Sequence, residues 1–146
     1  MRKGAGFVSK YMSLSHSKSR IRYHFVVSAK YRRKCFVGIE EDVKRVFSVA
    51  ARRCDKVKLL AVGVDKDHVH FIIQATPSVS PSQIVSRMKQ LTTRMLWKEH
   101  EQVPSHFYWG NKKGKLWTNG YFCETVGNVS EEKMLDYVSN QGNTLR

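Results

Sequence analysis

Apolar and polar positions follow two different periods along the chain, and their succession predicts a small α+β fold. Ile21 to Ala29 reads Ile-Arg-Tyr-His-Phe-Val-Val-Ser-Ala, rich in the β-branched and aromatic residues of a buried strand. The basic run Lys30 to Lys34 then ends it. From Glu40 to Cys54 the period lengthens: Val43, Val46, Phe47, Ala50 and Ala51 recur at helical spacing, and Glu40, Glu41 and Asp42 put negative charge at the positive end of the helix dipole. Lys58 to Val64 and His68 to Gln74 return to strand character, and the short charged turn Asp65-Lys66-Asp67 between them predicts a hairpin. Ser80-Pro81-Ser82-Gln83 carries a capping-box pattern with proline at the first helical position. Ile84, Met88, Leu91, Met95 and Leu96 continue the helix to about Lys98. Beyond a loop containing Pro104, Gly110 and Gly114, the stretch from Leu116 to Thr125 reads as a fourth strand, weakened by Gly120. A last helix starts near Ser130, with Glu131 and Glu132 in its first turn, and reaches about Asn140.

The order strand, helix, strand, strand, helix, strand implies a four-stranded antiparallel sheet with two helices on one face, the ferredoxin-like or RRM-like arrangement, with a third helix appended. One sheet face is then left open for a site. Residues 1–14 are basic, contain glycine and lack a clear period, so they read as a flexible extension. Residues 15–146 form one domain, with the regular fold beginning near Arg20. No internal repeat or low-complexity tract interrupts it.

Composition adds a partner class. The 146 residues hold 26 Lys or Arg against 12 Asp or Glu, a net charge of +14 with a pI near 10.0, which favours a polyanion. Nucleic acid is the first expectation; a solvated face or a membrane-surface patch would also account for charge alone. The imbalance is concentrated: Met1 to Lys34 carries ten Lys or Arg and no acidic residue. No apolar run approaches the roughly 20 residues of a spanning helix, and the first residues lack the apolar core of a signal peptide, so a cytoplasmic location is expected. Cys35, Cys54 and Cys123 are odd in number and fit no C-x-x-C spacing, which argues against a disulfide framework or a zinc ribbon.

Two constellations carry chemistry. His68 and His70 stand two apart in a predicted strand, so both project from one face with about 6.5 to 7 Å between their α-carbons, close enough to share a metal ion. An isolated H-x-H is a weak pattern that ordinary strand histidines explain better, so a third ligand is required. Tyr137 and Gln141 stand one turn apart on the last helix. A tyrosine beside a metal can attack a phosphodiester, but from residue type alone Tyr23, Tyr31, Tyr108 and Tyr121 compete with Tyr137, which also suits core packing with Met134 and Val138.

Four segments together resemble the single-tyrosine HUH transposases of small bacterial and archaeal insertion sequences, with REP-associated tyrosine transposases as relatives. They are Tyr23-His24-Phe25-Val26-Val27 running into Lys30-Tyr31-Arg32-Arg33-Lys34; Asp67-His68-Val69-His70-Phe71; Leu116-Trp117-Thr118-Asn119-Gly120-Tyr121-Phe122 with Glu124-Thr125-Val126-Gly127; and Tyr137-Val138-Ser139-Asn140-Gln141. The resemblance runs from about Ser15 to Gln141. It implies that Tyr137 is the nucleophile, cutting single-stranded DNA to leave a 3′-hydroxyl and a 5′-phosphotyrosine that a second 3′-hydroxyl resolves. It further implies that His68, His70 and Gln141 hold Mg²⁺ or Mn²⁺, and that the protein is a homodimer with composite sites acting on hairpin-marked ends. No P-loop is present, consistent with bond energy being kept in the phosphotyrosine. Asp65 and Asp67 are the nearest acidic candidates to support the histidines, or simply polar turn residues. Lys30, Arg32, Arg33 and Lys34, extended by Arg87, Lys89 and Arg94, are the expected phosphate contacts. Phe107, Tyr108 and Trp109 beside Lys112, Lys113 and Lys115 offer base stacking. A non-catalytic RRM-like nucleic-acid-binding module is the alternative from another class, and a replication nickase or domesticated relative would share the chemistry.

Overall fold

The computed structural model describes residues 12–14, 17–19, 21–100, 116–127, 133 and 136. Its centre is a four-stranded antiparallel sheet. After two short strands, β1 (Met12–Leu14) and β2 (Ser17–Ser19), come β3 (Ile21–Ser28), helix α1 (Glu40–Arg52), β4 (Val57–Val64), β5 (His68–Ala75), helix α2 (Pro81–Glu99) and β6 (Phe122–Thr125). The sheet order is β4-β5-β3-β6, the split arrangement expected from the sequence of elements.

Alternation along the strands sorts side chains between the two faces. Phe25 and Val27 of β3 and Val69, Phe71, Ile73 and Ala75 of β5 join Val43, Val46, Phe47 and Ala50 of α1 and Ile84, Met88, Leu91 and Leu96 of α2 in one core. Phe25, Phe47 and Phe71 stack or tilt at centroid distances of 5.1 to 5.2 Å, and burying each stabilises the fold by roughly 1.5–3 kcal/mol. His24, His68 and His70 alternate with these apolar residues and so lie on the opposite face. Arg22 and Gln74 share that face, and both are buried. The Arg22 guanidinium donates to Gln74 Oε1 at 3.0 Å, which offsets the cost of burying them. A β-bulge between Leu59 and Ala61 interrupts the β4–β5 register.

Helix ends follow their chemistry. Ser80 Oγ accepts from the Gln83 amide at 3.2 Å, and Gln83 Oε1 accepts from the Ser80 amide at 2.9 Å, with Pro81 at the first position: the complete capping box. No side chain caps α1, whose three acidic residues in the first turn face the dipole instead.

Two differences from the sequence pattern stand out. The chain already pairs at β1 and β2, Met12 opposite Ser19, ahead of the start expected near Arg20; three-residue strands are too short to display a period. The fourth strand is only Phe122–Thr125 instead of Leu116–Thr125. Gly120 takes a left-handed φ of +81°, which ends extended pairing. The Lys89 ammonium donates to the carbonyls of Thr118 and Gly120 at 2.9 and 2.6 Å. Trp117 pairs with Ala29 in an isolated bridge, and its indole N–H donates to Thr92 Oγ1 at 3.0 Å. Of the predicted last helix, Lys133 and Asp136 are described, both helical and exposed; the rest lies outside the described residues.

Candidate metal centre

The open face of β5 gathers the histidines. Pairing sets His68 opposite Ser28 and His70 opposite Val26 of β3, while Gly63 of β4, which has no side chain, pairs with His70 on its other side. The His68 and His70 rings lie 4.8 Å apart between centroids, tilted at 71°. Both residues are buried, 8% and 1% exposed, and the Nε2 atom of each has no hydrogen-bond partner. A buried unpartnered imidazole nitrogen costs about 1–3 kcal/mol, and two side by side on one face are a structural peculiarity that a shared ligand would relieve.

Partners on the other ring nitrogens decide which state those Nε2 atoms are in. His68 Nδ1 lies 2.7 Å from Asp67 Oδ1. A carboxylate only accepts, so Nδ1 carries a proton, and in the neutral ring the lone pair is the one on Nε2. Asp67 also accepts from Arg32 Nε at 3.2 Å. Burial pushes the Asp67 carboxyl up, but the hydrogen bonds and positive charge of His68 and Arg32 outweigh it, and the pKa is lowered overall. Asp65 Oδ2 stands 3.9 Å from His68 Nε2, near enough for attraction but beyond hydrogen-bond length. On the other histidine, His70 Nδ1 meets His24 Nε2 at 3.2 Å. Desolvation, reinforced by His68 and His24, lowers the His70 pKa to about 4, so the ring is neutral near pH 7.

Among the described residues no group of three or more His, Cys, Asp or Glu side chains is arranged to hold an ion. The fit is therefore partial: two buried imidazole Nε2 atoms without hydrogen-bond partners suit a divalent ion, and a further donor has to come from elsewhere. Tyr137 and Gln141 lie outside the described residues, as do Phe107, Tyr108, Trp109, Lys112, Lys113 and Lys115.

The expected phosphate contacts separate into groups. Lys30 to Lys34 adjoin the histidine end of the sheet, since the Ala29 amide donates to the Asp67 carbonyl at 2.8 Å. Within this run Tyr31 is exposed, with Lys30 Nζ 5.4 Å and the Arg33 guanidinium 5.3 Å from its ring centroid. Arg32 spends its charge on Asp67, and Lys89 on the loop carbonyls, internal roles that a charge count does not reveal. Arg87 and Arg94 are exposed on α2, whose layer lies across the sheet from the histidines. Sequence reasoning gave no role to His24 or Glu124, although His24 shares the strand parity that exposes it to the histidine face.

The family model for IS200-like transposases matches residues 17–141. The chain is 30% identical over 131 residues to the transposase for insertion sequence element IS200 of Salmonella typhimurium, covering 88% of this chain and 82% of that protein. It is 25% identical over 142 residues to the ISDra2 transposase TnpA of Deinococcus radiodurans, covering 97% and 91%. A crystal structure of a putative transposase from Deinococcus radiodurans superposes with a TM-score of 0.65 at 26% identity, over 97% of this chain and 98% of that one. The REP-associated tyrosine transposase bound to a REP hairpin shares the fold, with a TM-score of 0.57 at 12% identity over 92% and 74% of the two chains.

Proposed function

Because the chain belongs to the IS200-like transposase family, we propose that it cuts and rejoins single-stranded DNA at hairpin-marked element ends through a covalent intermediate on Tyr137. The observation that carries this reading is the pair of buried, unpartnered Nε2 atoms on His68 and His70, with Asp67 holding His68 in the tautomer that frees its lone pair.

In this reading His68, His70 and Gln141 hold Mg²⁺ or Mn²⁺; the chemistry supplied when the ion is bound is polarisation of a phosphoryl oxygen and neutralisation of the charge that develops on it. The Tyr137 phenol gives up its proton and its oxygen attacks phosphorus. The bond from phosphorus to the 3′ oxygen breaks, that oxygen takes up a proton as a free 3′-hydroxyl, and a 5′-phosphotyrosine remains. A second 3′-hydroxyl then attacks the same phosphorus and releases the tyrosine. No nucleotide triphosphate is consumed. Asp67 keeps His68 oriented, and Lys30, Arg33 and Lys34 offer positive charge to the backbone beside the site. We further propose a homodimer in which the tyrosine helix of one subunit completes the histidine site of the other, working on DNA in the cytoplasm. Among the described residues no helix is long and apolar enough to cross a membrane.

The test is an adduct assay. Purified protein with Mg²⁺ or Mn²⁺ should cut an oligonucleotide carrying its own end hairpin and become attached to the 5′ side of the break. Tyr137→Phe should abolish the adduct while hairpin binding persists, and an adduct that survives in this variant removes Tyr137 as nucleophile. His68→Ala and His70→Ala should lose metal-dependent cleavage. Because both described donors are imidazole nitrogens and Mg²⁺ takes oxygen ligands, Mn²⁺ should bind the more tightly of the two. Binding of RNA alone, with no adduct on any DNA, would establish the non-catalytic module instead.

A further inference from the structure

His70 differs from His68 in that its Nδ1 meets another imidazole instead of a carboxylate, yet its free nitrogen is also Nε2. The reason lies two strands away. His24 on β3 is a diagonal neighbour of His70 on the open face, since His24 pairs with Ile72 and Val26 with His70. The two rings are within 14° of parallel with centroids 5.4 Å apart, and their Nε2 and Nδ1 atoms are 3.2 Å apart. The centroid separation exceeds the nitrogen separation by 2.2 Å, close to the sum of two ring radii, so both nitrogens lie on the line between the centroids. The rings therefore meet close to edge to edge with their planes 14° apart, compatible with an N–H···N hydrogen bond. On the far side of His24, Nδ1 lies 3.3 Å from Glu124 Oε2 on β6.

Only one assignment of protons satisfies this chain of atoms when both rings are neutral. Glu124 accepts, so His24 Nδ1 carries a hydrogen and His24 Nε2 has a lone pair. That lone pair accepts from His70 Nδ1–H, and the His70 lone pair is left on Nε2.

We infer that Glu124 and His24 are positioning residues that fix His70 as its Nδ1–H tautomer through a relay across β6, β3 and β5, and so present its Nε2 lone pair to a divalent cation. Glu124 thus does for His70, through an intermediate ring, what Asp67 does directly for His68. This inference rests on the reading of His70 as a ligand, but the tautomer is a property of the metal-free protein and is measurable without any ion.

The experiment is ¹⁵N NMR of imidazole nitrogens in metal-free full-length protein, with Mn²⁺ titration alongside, for the wild type, Glu124→Gln and Glu124→Lys. The Glu124 side chain is 48% exposed, so either replacement is tolerated at the surface, and the backbone amide spectrum reports whether the fold is kept. In the wild type, His70 should carry its proton on Nδ1. Glutamine retains an acceptor and should leave both the tautomer and the Mn²⁺ affinity near wild type. Lysine can only donate; it forces His24 to carry its proton on Nε2, turns His70 Nδ1 into an acceptor and moves the His70 proton to Nε2. Mn²⁺ affinity should then fall by about 10–100-fold, the usual effect of disturbing an outer-shell partner. A wild-type His70 protonated on Nε2 overturns the relay, as does a folded Glu124→Lys variant with unchanged tautomer and affinity. Should lysine prevent folding, the wild-type tautomer still decides. A wild type with the expected tautomer but no affinity for Mn²⁺ would retain the relay and remove the metal reading.

Discussion

Acidification should destabilise the metal-free protein through His70, by an amount that follows from its burial. The ring is 1% exposed and its pKa falls from the ordinary 6.5 to about 4 because desolvation penalises its charged form. In the unfolded chain the same ring takes up a proton near pH 6.5. The folded-state pKa is the lower of the two, so the stabilisation tied to the neutral ring is complete above pH 6.5 and is lost as pH falls from 6.5 towards 4, where the unfolded state binds the extra proton. Each pH unit in that window costs about 1.36 kcal/mol, and the full window about 3 kcal/mol. His24 is shifted in the same direction by burial, so the wild-type slope should exceed that of a single proton. Asp67, whose pKa is lowered below 3.8, loses its contribution only beneath this window. The assay is urea unfolding followed by tryptophan fluorescence, in chelator, at intervals from pH 7.5 to pH 4.5, for wild type and His70→Asn. The slope of stability against pH is compared, because the substitution also changes stability at every pH. Between pH 6 and 5 the variant should be shallower by about 1 kcal/mol per unit. Parallel slopes for the two proteins would show that His70 titrates normally in the fold and would refute the argument.

Three further predictions concern stability and use the same unfolding assay at pH 7.5. Thr92→Val leaves the buried Trp117 N–H without the Thr92 oxygen it donates to and should cost about 1–3 kcal/mol. Ser80→Ala removes half of the capping box on α2 and should cost about 1 kcal/mol; no loss would mean that Pro81 and the packed face of the helix suffice. Gly120→Ala has open space for its methyl but places a side chain at φ +81°, so a destabilisation of about 1 kcal/mol is expected from backbone strain alone.

The helices were legible because their signals are local. Ser80-Pro81-Ser82-Gln83 states the start of α2 within four residues, and the apolar spacing of Val43, Val46, Phe47 and Ala50 states which face of α1 is buried. The H-x-H pair was legible for the same reason, since strand parity puts two residues on one face wherever the strand pairs. His24 was half legible: its parity against Phe25 and Val27 predicts the open face, but not which strand lies alongside. Its partners His70 and Glu124 are 46 and 100 positions away, and nothing in a local window reports such pairings. β6 is shorter than its apolar pattern implies because Leu116 and Trp117 are buried in the core and are separated from Phe122 by the left-handed turn at Gly120. Lys89 illustrates the limit of charge counting, as its ammonium is bound to backbone carbonyls within the fold.

The sheet order carries a consequence for synthesis. β3 lies between β5 and β6, so the strand made first waits for the one made last. At a translation rate of about 5–20 residues per second, Glu124 follows His24 out of the ribosome by roughly 5–20 s. Once β5 has been made, about halfway through that interval, the nascent chain can close β3 against β5 and bring His68 and His70 together, while the other side of β3 offers bare amides and carbonyls to any neighbouring strand. Chains on one messenger are crowded at that moment. Production of active protein is therefore exposed to mispairing on polysomes, and slowing translation beyond β5 should lower the soluble yield.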